Sequence, residues 1–213
     1  MAELNLALLA DNARAVLQAN RQQGSSDWDG MQYDFVCPSR STYPFQWLWD
    51  SSFHAVSLLH VDPELAKTEI RCLLQGIQRD GFMPHVLLWD LANREQDLQR
   101  CSVVLAGPHF TATTQPPVLA RAIERIYQAT KDDAFLQEVF PVVNRVYDWL
   151  AAHRDPDDDG LLAIIQPDES GLDASPKFDL PMGFSGRPSM LAAELAAGME
   201  RLFDSYGDNR TDP

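Results

Sequence analysis

The chain is poor in cysteine, in cations and in long apolar runs. Its three cysteines, Cys37, Cys72 and Cys101, are odd in number and far apart. They form no zinc-ligand spacing and no disulfide framework, and they suit the reduced thiols of a cytoplasm. Against 31 Asp and Glu stand only 17 Lys and Arg, a formal net charge of -14. A surface this acidic repels phosphate backbones, so nucleic acid is an unfavourable partner. A neutral substrate, or a small anion held by local donors, suits it better. No apolar run approaches the roughly 18 residues of a membrane span. The start, Met-Ala-Glu-Leu-Asn-Leu, has neither the basic region nor the apolar block of a signal peptide. The expected place is therefore the cytoplasm, away from membranes. Alternation of period two is scarce, which leaves an all-α fold. A length of 213 residues, 45% of them hydrophobic, is enough for one domain with a sizeable core.

Six helical patterns are present. Residues 3 to 22 lack Pro and Gly and place Leu6, Leu9, Ala13, Val16 and Leu17 at helical spacing, with Gly24 as a stop. Residues 47 to 60 form a second, largely apolar helix. Asp62-Pro63-Glu64 combines a capping acid, a first-turn proline and another acid, and opens a third helix with Ile70, Leu73, Leu74 and Ile77 on one stripe. Pro116-Pro117 opens a fourth, and a fifth runs from 133 to 152, where Pro141 should kink or restart it. Pro188 opens a sixth with Leu191, Leu195, Met199 and Leu202. Connections two to three and four to five are short enough for antiparallel hairpins, whereas the other three are long. If the helices alternate up and down, all three long loops meet at one end. With their borders they hold four of the five tryptophans, and they contain three of the five histidines. The pattern predicts a rigid helical scaffold with a working rim.

The first long loop ends in Tyr43-Pro44-Phe45-Gln46-Trp47-Leu48-Trp49-Asp50. Two indoles beside a carboxylate suit a sugar: the C–H face of a pyranose stacks on a ring while the acid accepts hydroxyl protons. Apolar walls with few placed polar groups are typical of small-molecule pockets. Core packing is the competing reading for Trp47 and Trp49. The second loop offers His85 and Gln115; the Gln115 amide can cap a backbone or bind a hydroxyl. His54 and His60 are six apart, off one turn, and no metal triad is present. Asp155-Pro156-Asp157-Asp158-Asp159-Gly160 approaches a calcium-loop start, but its twelfth position is Gln166 rather than Glu. A turn capped by acids is the better reading, so no metal and no organic cofactor are expected. Residues 166 to 176 concentrate Asp168, Glu169 and Asp173 around a Ser-Gly pair, without the period of a helix or strand.

Five motifs occur in order: F-Q-W-L-W-D at 45–50, G-F-M-P-H at 81–85, T-Q-P-P at 114–117, D-D-D-G-L at 157–161 and E-S-G-L-D-A-S-P at 169–176. Together they resemble family 63 glycoside hydrolases, most closely the bacterial mannosylglycerate and glucosylglycerate hydrolases. The resemblance implies an α/α-barrel of helical hairpins with the active site at one end, and inversion at the anomeric carbon. It matches Asp173 to the general acid, and Trp49 and Asp50 to the aromatic and carboxylate of the sugar subsite. Tyr43, Trp47, His85, Gln115 and Glu169 complete the expected substrate-binding set. Ala174 stands where relatives usually carry Asn, and Lys177-Phe178 replaces a more common Arg/Ala-Trp pair.

The family's general base lies far downstream, in a context that nothing after residue 180 resembles. Residues 1–213 are therefore expected to form roughly half of one α/α-barrel, with 205–213 as a frayed tail. The second and fourth helices should expose apolar side chains toward an open centre. Such a chain should self-associate or take a complementary chain, and be inactive alone. Alternative readings are an oligosaccharide α-glucosidase or trehalase-like activity on the same fold, or a non-catalytic remnant that binds sugar or packs on a partner.

Overall fold

A computed structural model describes residues 6–90, 105–172 and 175–178. The chain divides into two compact units, Met1–Ala163 and Ile164–Pro213. The first unit begins with helix α1, Leu6–Asn20, where the sequence places it, but none of its residues is buried. Leu6, Leu9 and Val16 of the expected stripe stand exposed, and only Leu17 packs against the core.

The chain then departs from an all-α fold. Strands β1, Arg21–Ser25, and β2, Gln32–Val36, pair antiparallel from Arg21↔Val36 to Ser25↔Gln32. The Arg-Gln-Gln-Gly-Ser strand has no apolar alternation and low strand propensity, so its pattern is invisible in sequence. Cross-strand contacts hold it instead. Arg21 Nε donates to Asp34 Oδ1 at 2.7 Å. Gly24, expected as a helix stop, leaves room for the Tyr33 ring: a Cβ there would lie 2.5 Å from the Tyr33 hydroxyl oxygen.

Strand β3, Gln46–Trp47, leads directly into α2, Leu48–Leu58. Helix α3, Pro63–Leu74, starts as its sequence dictates: Asp62 Oδ1 accepts from Glu64 N–H at 2.9 Å and Pro63 occupies the first turn. Strand β4, Val86–Leu87, pairs with β3. Helices α4, Leu119–Thr130, and α5, Asp133–Arg154, follow, and α5 continues through Pro141 without a restart. Asp132 caps α5 by accepting from Phe135 N–H at 3.0 Å. It also takes the Lys67 ammonium, which bridges Glu64 and Asp132 at 2.6 Å each. A bidentate Arg71–Glu138 pair adds a second tie between α3 and α5.

The core lies between α2, α3, α4 and α5 and includes Ile70, Leu73, Ile126, Phe135 and Val139. Leu119, Ala122, Ile123 and Ile126 of α4 are buried, so the fourth helix does not present its apolar stripe to an open centre. Phe53 of α2 is exposed. Among the described residues, five α-helices are present, and none is long and apolar enough to cross a membrane.

The acid-rich turn after α5 forms as expected. Asp155 Oδ1 accepts from Asp159 N–H, and its Oδ2 accepts from Gly160 N–H. In the second unit, Pro167–Ser170 makes one 3-10 turn, closed by Gly171 at φ 66°, and Pro176–Phe178 makes another. The sixth helical pattern, Cys101, Asp173 and the 205–213 tail lie outside the described residues.

Candidate active site

Helix α2 starts without a capping side chain of its own, since Trp47 at its N-cap offers no acceptor. Helix N-termini leave backbone donors that need partners. Two residues of the second long loop supply them. The His85 carbonyl accepts from Leu48 N–H at 2.9 Å, and Gln115 Oε1 accepts from Trp49 N–H at 3.0 Å. Three separate sequence motifs therefore converge at the start of α2. Of the two roles open to Gln115, capping a backbone is the one the geometry displays. Gln115→Ala should cost about 1–2 kcal/mol, by analogy with loss of a helix cap. Denaturant unfolding of the variant checks this; an unchanged midpoint would contradict it.

The paired strands sort the side chains of this junction. Trp47 faces Val86, and Gln46 faces Leu87. Side chains on a strand alternate between faces. Phe45, Trp47, Val86 and Leu88 accordingly form one small apolar cluster, while Leu87 and Trp89 belong to the main core. The Trp47 ring meets His85 edge-on at 4.8 Å and Tyr43 at 5.7 Å. Trp47 is buried, and its Nε1–H lacks an acceptor among the described residues. His85 Nδ1 lies 3.1 Å from Thr113 Oγ1, and its backbone N–H donates to the Thr113 carbonyl at 2.7 Å. Burial pushes the His85 pKa down to about 3, so the imidazole is neutral in neutral solution. It can orient a hydroxyl but carries no charge with which to bind an anion.

Trp49 is half-buried and touches the exposed Phe53 ring at 5.6 Å. It is not enclosed between helices, which distinguishes it from Trp47. Asp50 is half-buried in the first turn of α2, where the helix dipole favours a carboxylate. Tyr43 is 46% exposed, leaving its ring accessible. In the second unit, Glu169 is buried, and its Oε2 accepts from Ile165 N–H at 2.7 Å. One oxygen of the expected substrate ligand thus closes a local turn. The first unit brings Trp47, Trp49, Asp50, His85 and Gln115 to one junction. Asp173, the expected acid, lies outside the described residues.

Behind the junction lies a polar group that helical periodicity did not flag. Gln46 is fully buried, and its Oε1 accepts from Trp89 Nε1–H at 2.7 Å and from Cys72 Sγ–H at 3.4 Å. Glu69 of α3 is buried beside it, with Oε2 accepting from Val36 N–H at 2.7 Å. Burial raises the Glu69 pKa to about 8. One sequence signal existed: Glu69 sits three residues from Ala66 and four from Leu73, on the apolar stripe of α3. A raised folded pKa means the native state keeps a proton that the unfolded chain has released. Stability from this group is therefore fullest below the unfolded pKa and falls as pH rises toward 8. Glu69→Gln should flatten this loss, raising the melting temperature at about pH 8.5 relative to wild type and matching it near pH 4. Equal shifts at both pH values would remove Glu69 as the cause.

Residues 43–208 match the mannosylglycerate hydrolase MGH1-like glycoside hydrolase domain. A mannosylglycerate hydrolase of Thermus thermophilus is 34% identical over 163 residues, covering 70% of this chain and 37% of that protein. A glucosylglycerate hydrolase of Mycolicibacterium hassiacum is 29% identical over 159 residues, covering 64% of this chain and 34% of that one. The chain thus spans about a third of the length of these relatives. The crystal structure of a GH63 mannosylglycerate hydrolase from Thermus thermophilus, in complex with Tris and D-glycerate, superposes with a TM-score of 0.70. That match has 34% identity and covers 82% of this chain and 40% of the other. A second structure of the Thermus enzyme, in complex with glucose, gives 0.68 at 27% identity, covering 93% and 51%. With more than half its length inside the domain match, the chain belongs to the MGH1-like family of glycoside hydrolases.

Proposed function

We propose that residues 1–213 form part of one α/α-barrel catalytic domain of an inverting glycoside hydrolase. In this reading Asp173 is the general acid, and Tyr43, Trp47, Trp49, Asp50, His85, Gln115 and Glu169 contribute to the sugar subsite. The substrate is a small α-mannoside or α-glucoside of glycerate, processed in the cytoplasm without a cofactor. The observation that carries the reading is the convergence of three motifs at the start of α2. There His85 and Gln115 hold the backbone while Trp49 and Asp50 stay accessible. An inverting enzyme needs a second carboxylate, roughly 6.5–9.5 Å from the acid, to activate water; no residue of this chain is assigned that role.

The test is to offer mannosylglycerate, glucosylglycerate, trehalose and an α-glucosyl oligosaccharide, and to follow binding and the first anomer released. Binding of the glycerate glycosides, with the β-anomer appearing first from any turnover, is expected. Release of the α-anomer would rule out inversion, and preference for trehalose or the oligosaccharide would replace the substrate class. Trp49→Ala should weaken sugar binding about tenfold, as loss of a stacked aromatic contact does. Because Trp49 is only half-buried, the same change should lower stability by about 1 kcal/mol. A larger loss of stability than of binding would return Trp49 to a packing role.

A further inference from the structure

We propose that Glu69 is a positioning residue for the candidate active site, its buried carboxyl gripping the 46–51 segment from behind through Gln46 and Ser51. The proposal rests on reading that segment as the sugar subsite. Gln46 precedes Trp47 and Ser51 follows Asp50, so the two flank the W-L-W-D motif. Gln46, Ser51 and Glu69 are all essentially unexposed. Among the described residues, Gln46 Nε2, Ser51 Oγ and Glu69 Oε1 each lack a completed hydrogen bond. They are two donors and one acceptor, and both donors bear on the Glu69 carboxyl, opposing the effect of its burial. Buried polar atoms are rarely left unmatched, and small side-chain rotations would close these contacts. The other oxygen of Glu69 already binds Val36 N–H, and His54 Nδ1 lies 2.8 Å from the Val36 carbonyl. With the Gln46 and Ser51 contacts closed, one carboxyl joins strand β2, strand β3 and helix α2.

No cation neutralises this carboxyl at contact distance among the described residues. Arg21 of β1 acts on it electrostatically, but Arg21 is paired with Asp34 of β2. Cys72 of α3, with its thiol pushed above the usual range by burial, and His54 of α2, pushed below it, are the other titratable neighbours. Neither carries charge in neutral solution. Glu69 therefore acts by hydrogen bonding, and its loss of a proton leaves a buried charge that no cation neutralises and that the Gln46 and Ser51 donors offset only in part.

Amide hydrogen exchange of the whole chain tests this in wild type, Glu69→Gln, Glu69→Leu and Ser51→Ala. Glu69→Leu should speed exchange in 45–52 at least tenfold and leave 119–154 unchanged, while Glu69→Gln keeps wild-type protection. Ser51→Ala should loosen the same segment to a lesser degree. Raising the pH from about 6 to about 9 should loosen 45–52 in wild type relative to Glu69→Gln. That pH arm and Ser51→Ala decide the matter even if Glu69→Leu fails to fold. Equal loosening of 45–52 and 119–154, a pH response that persists in Glu69→Gln, or no change at 45–52 would overturn the assignment. Titration of wild type with glucose and D-glycerate runs alongside. Absence of binding there would sink the sugar-site reading, whereas the exchange data judge the grip of Glu69 by themselves.

Discussion

Gly81→Ala should destabilise the first unit by about 3 kcal/mol or more, lowering its melting temperature by roughly 6–12 °C. Two costs combine. Gly81 has φ +102°, a conformation that residues with a Cβ rarely adopt. A Cβ at that position would also lie 2.5 Å from the Arg145 carbonyl oxygen and 3.1 Å from Trp149 Cβ. A backbone carbonyl inside α5 cannot give way cheaply. The turn is clamped there from both sides: Arg145 Nη2 donates to the Gln78 and Arg79 carbonyls, and Trp149 Nε1–H donates to Asp80 Oδ2. Displacing Gly81 displaces the segment that delivers His85 to the start of α2. Gly160 provides the control, because it has φ +80° but nothing within 4 Å of where a methyl group would sit. Gly160→Ala should cost only the conformational part, about 1 kcal/mol. Thermal unfolding of both variants separates the two costs; equal losses would mean that contact with α5 contributes nothing.

In a complete enzyme, with the general base present, Asp173→Asn should lower glycoside turnover roughly a hundredfold or more, the usual size of a general-acid contribution. Sugar affinity should change by no more than a few fold, since the amide keeps the shape of the acid. The chemistry supplies a second readout. A general acid protonates the departing oxygen, so a glycosyl fluoride, whose leaving group needs less help, should lose much less rate than a glycerate glycoside. Asparagine cannot lose a proton, so the basic limb of the pH–rate profile should also disappear. Turnover within a few fold of wild type on the glycerate glycoside would remove Asp173 from the role.

Legibility in the sequence followed the kind of interaction involved. The start of helix α3 was readable to the residue, because Asp62 and Pro63 act locally and through well-defined backbone preferences, whereas its end was not: the helix stops at Leu74, before Ile77 of the expected stripe. The α4 stripe was also readable, although its burial was not, since periodicity identifies an apolar face without saying what covers it. The β1–β2 hairpin was hidden because its stability comes from Arg21 with Asp34 and from Gly24 under Tyr33, pairs set by register rather than composition. Strands β3 and β4 are too short to display a period. In the site, Trp49, Asp50, His85 and Gln115 stand out from sequence alone, and Gln115 reads there as either a cap or a ligand. Thr113, Gln46 and Glu69 do not, because nothing local distinguishes a buried hydrogen-bonding residue from an exposed one. The role of Asp173 rests on family resemblance alone.

The two-residue strand β3 makes the chain unusually intolerant of length changes just upstream of it. Trp47 enters the small apolar cluster and Gln46 enters the polar group around Glu69 because neighbouring positions on a strand point opposite ways. Inserting or deleting one residue between 37 and 45, if transmitted to β3, would exchange them. An amide would then face Val86 and Leu88, and an indole would be driven against Cys72 and Trp89. Substitutions at 40–42, between the bridged residues Ser39 and Tyr43, can accumulate freely by comparison. Homologues and engineered variants should therefore differ in the composition of that turn far more readily than in its length, unless residues are added or removed in pairs.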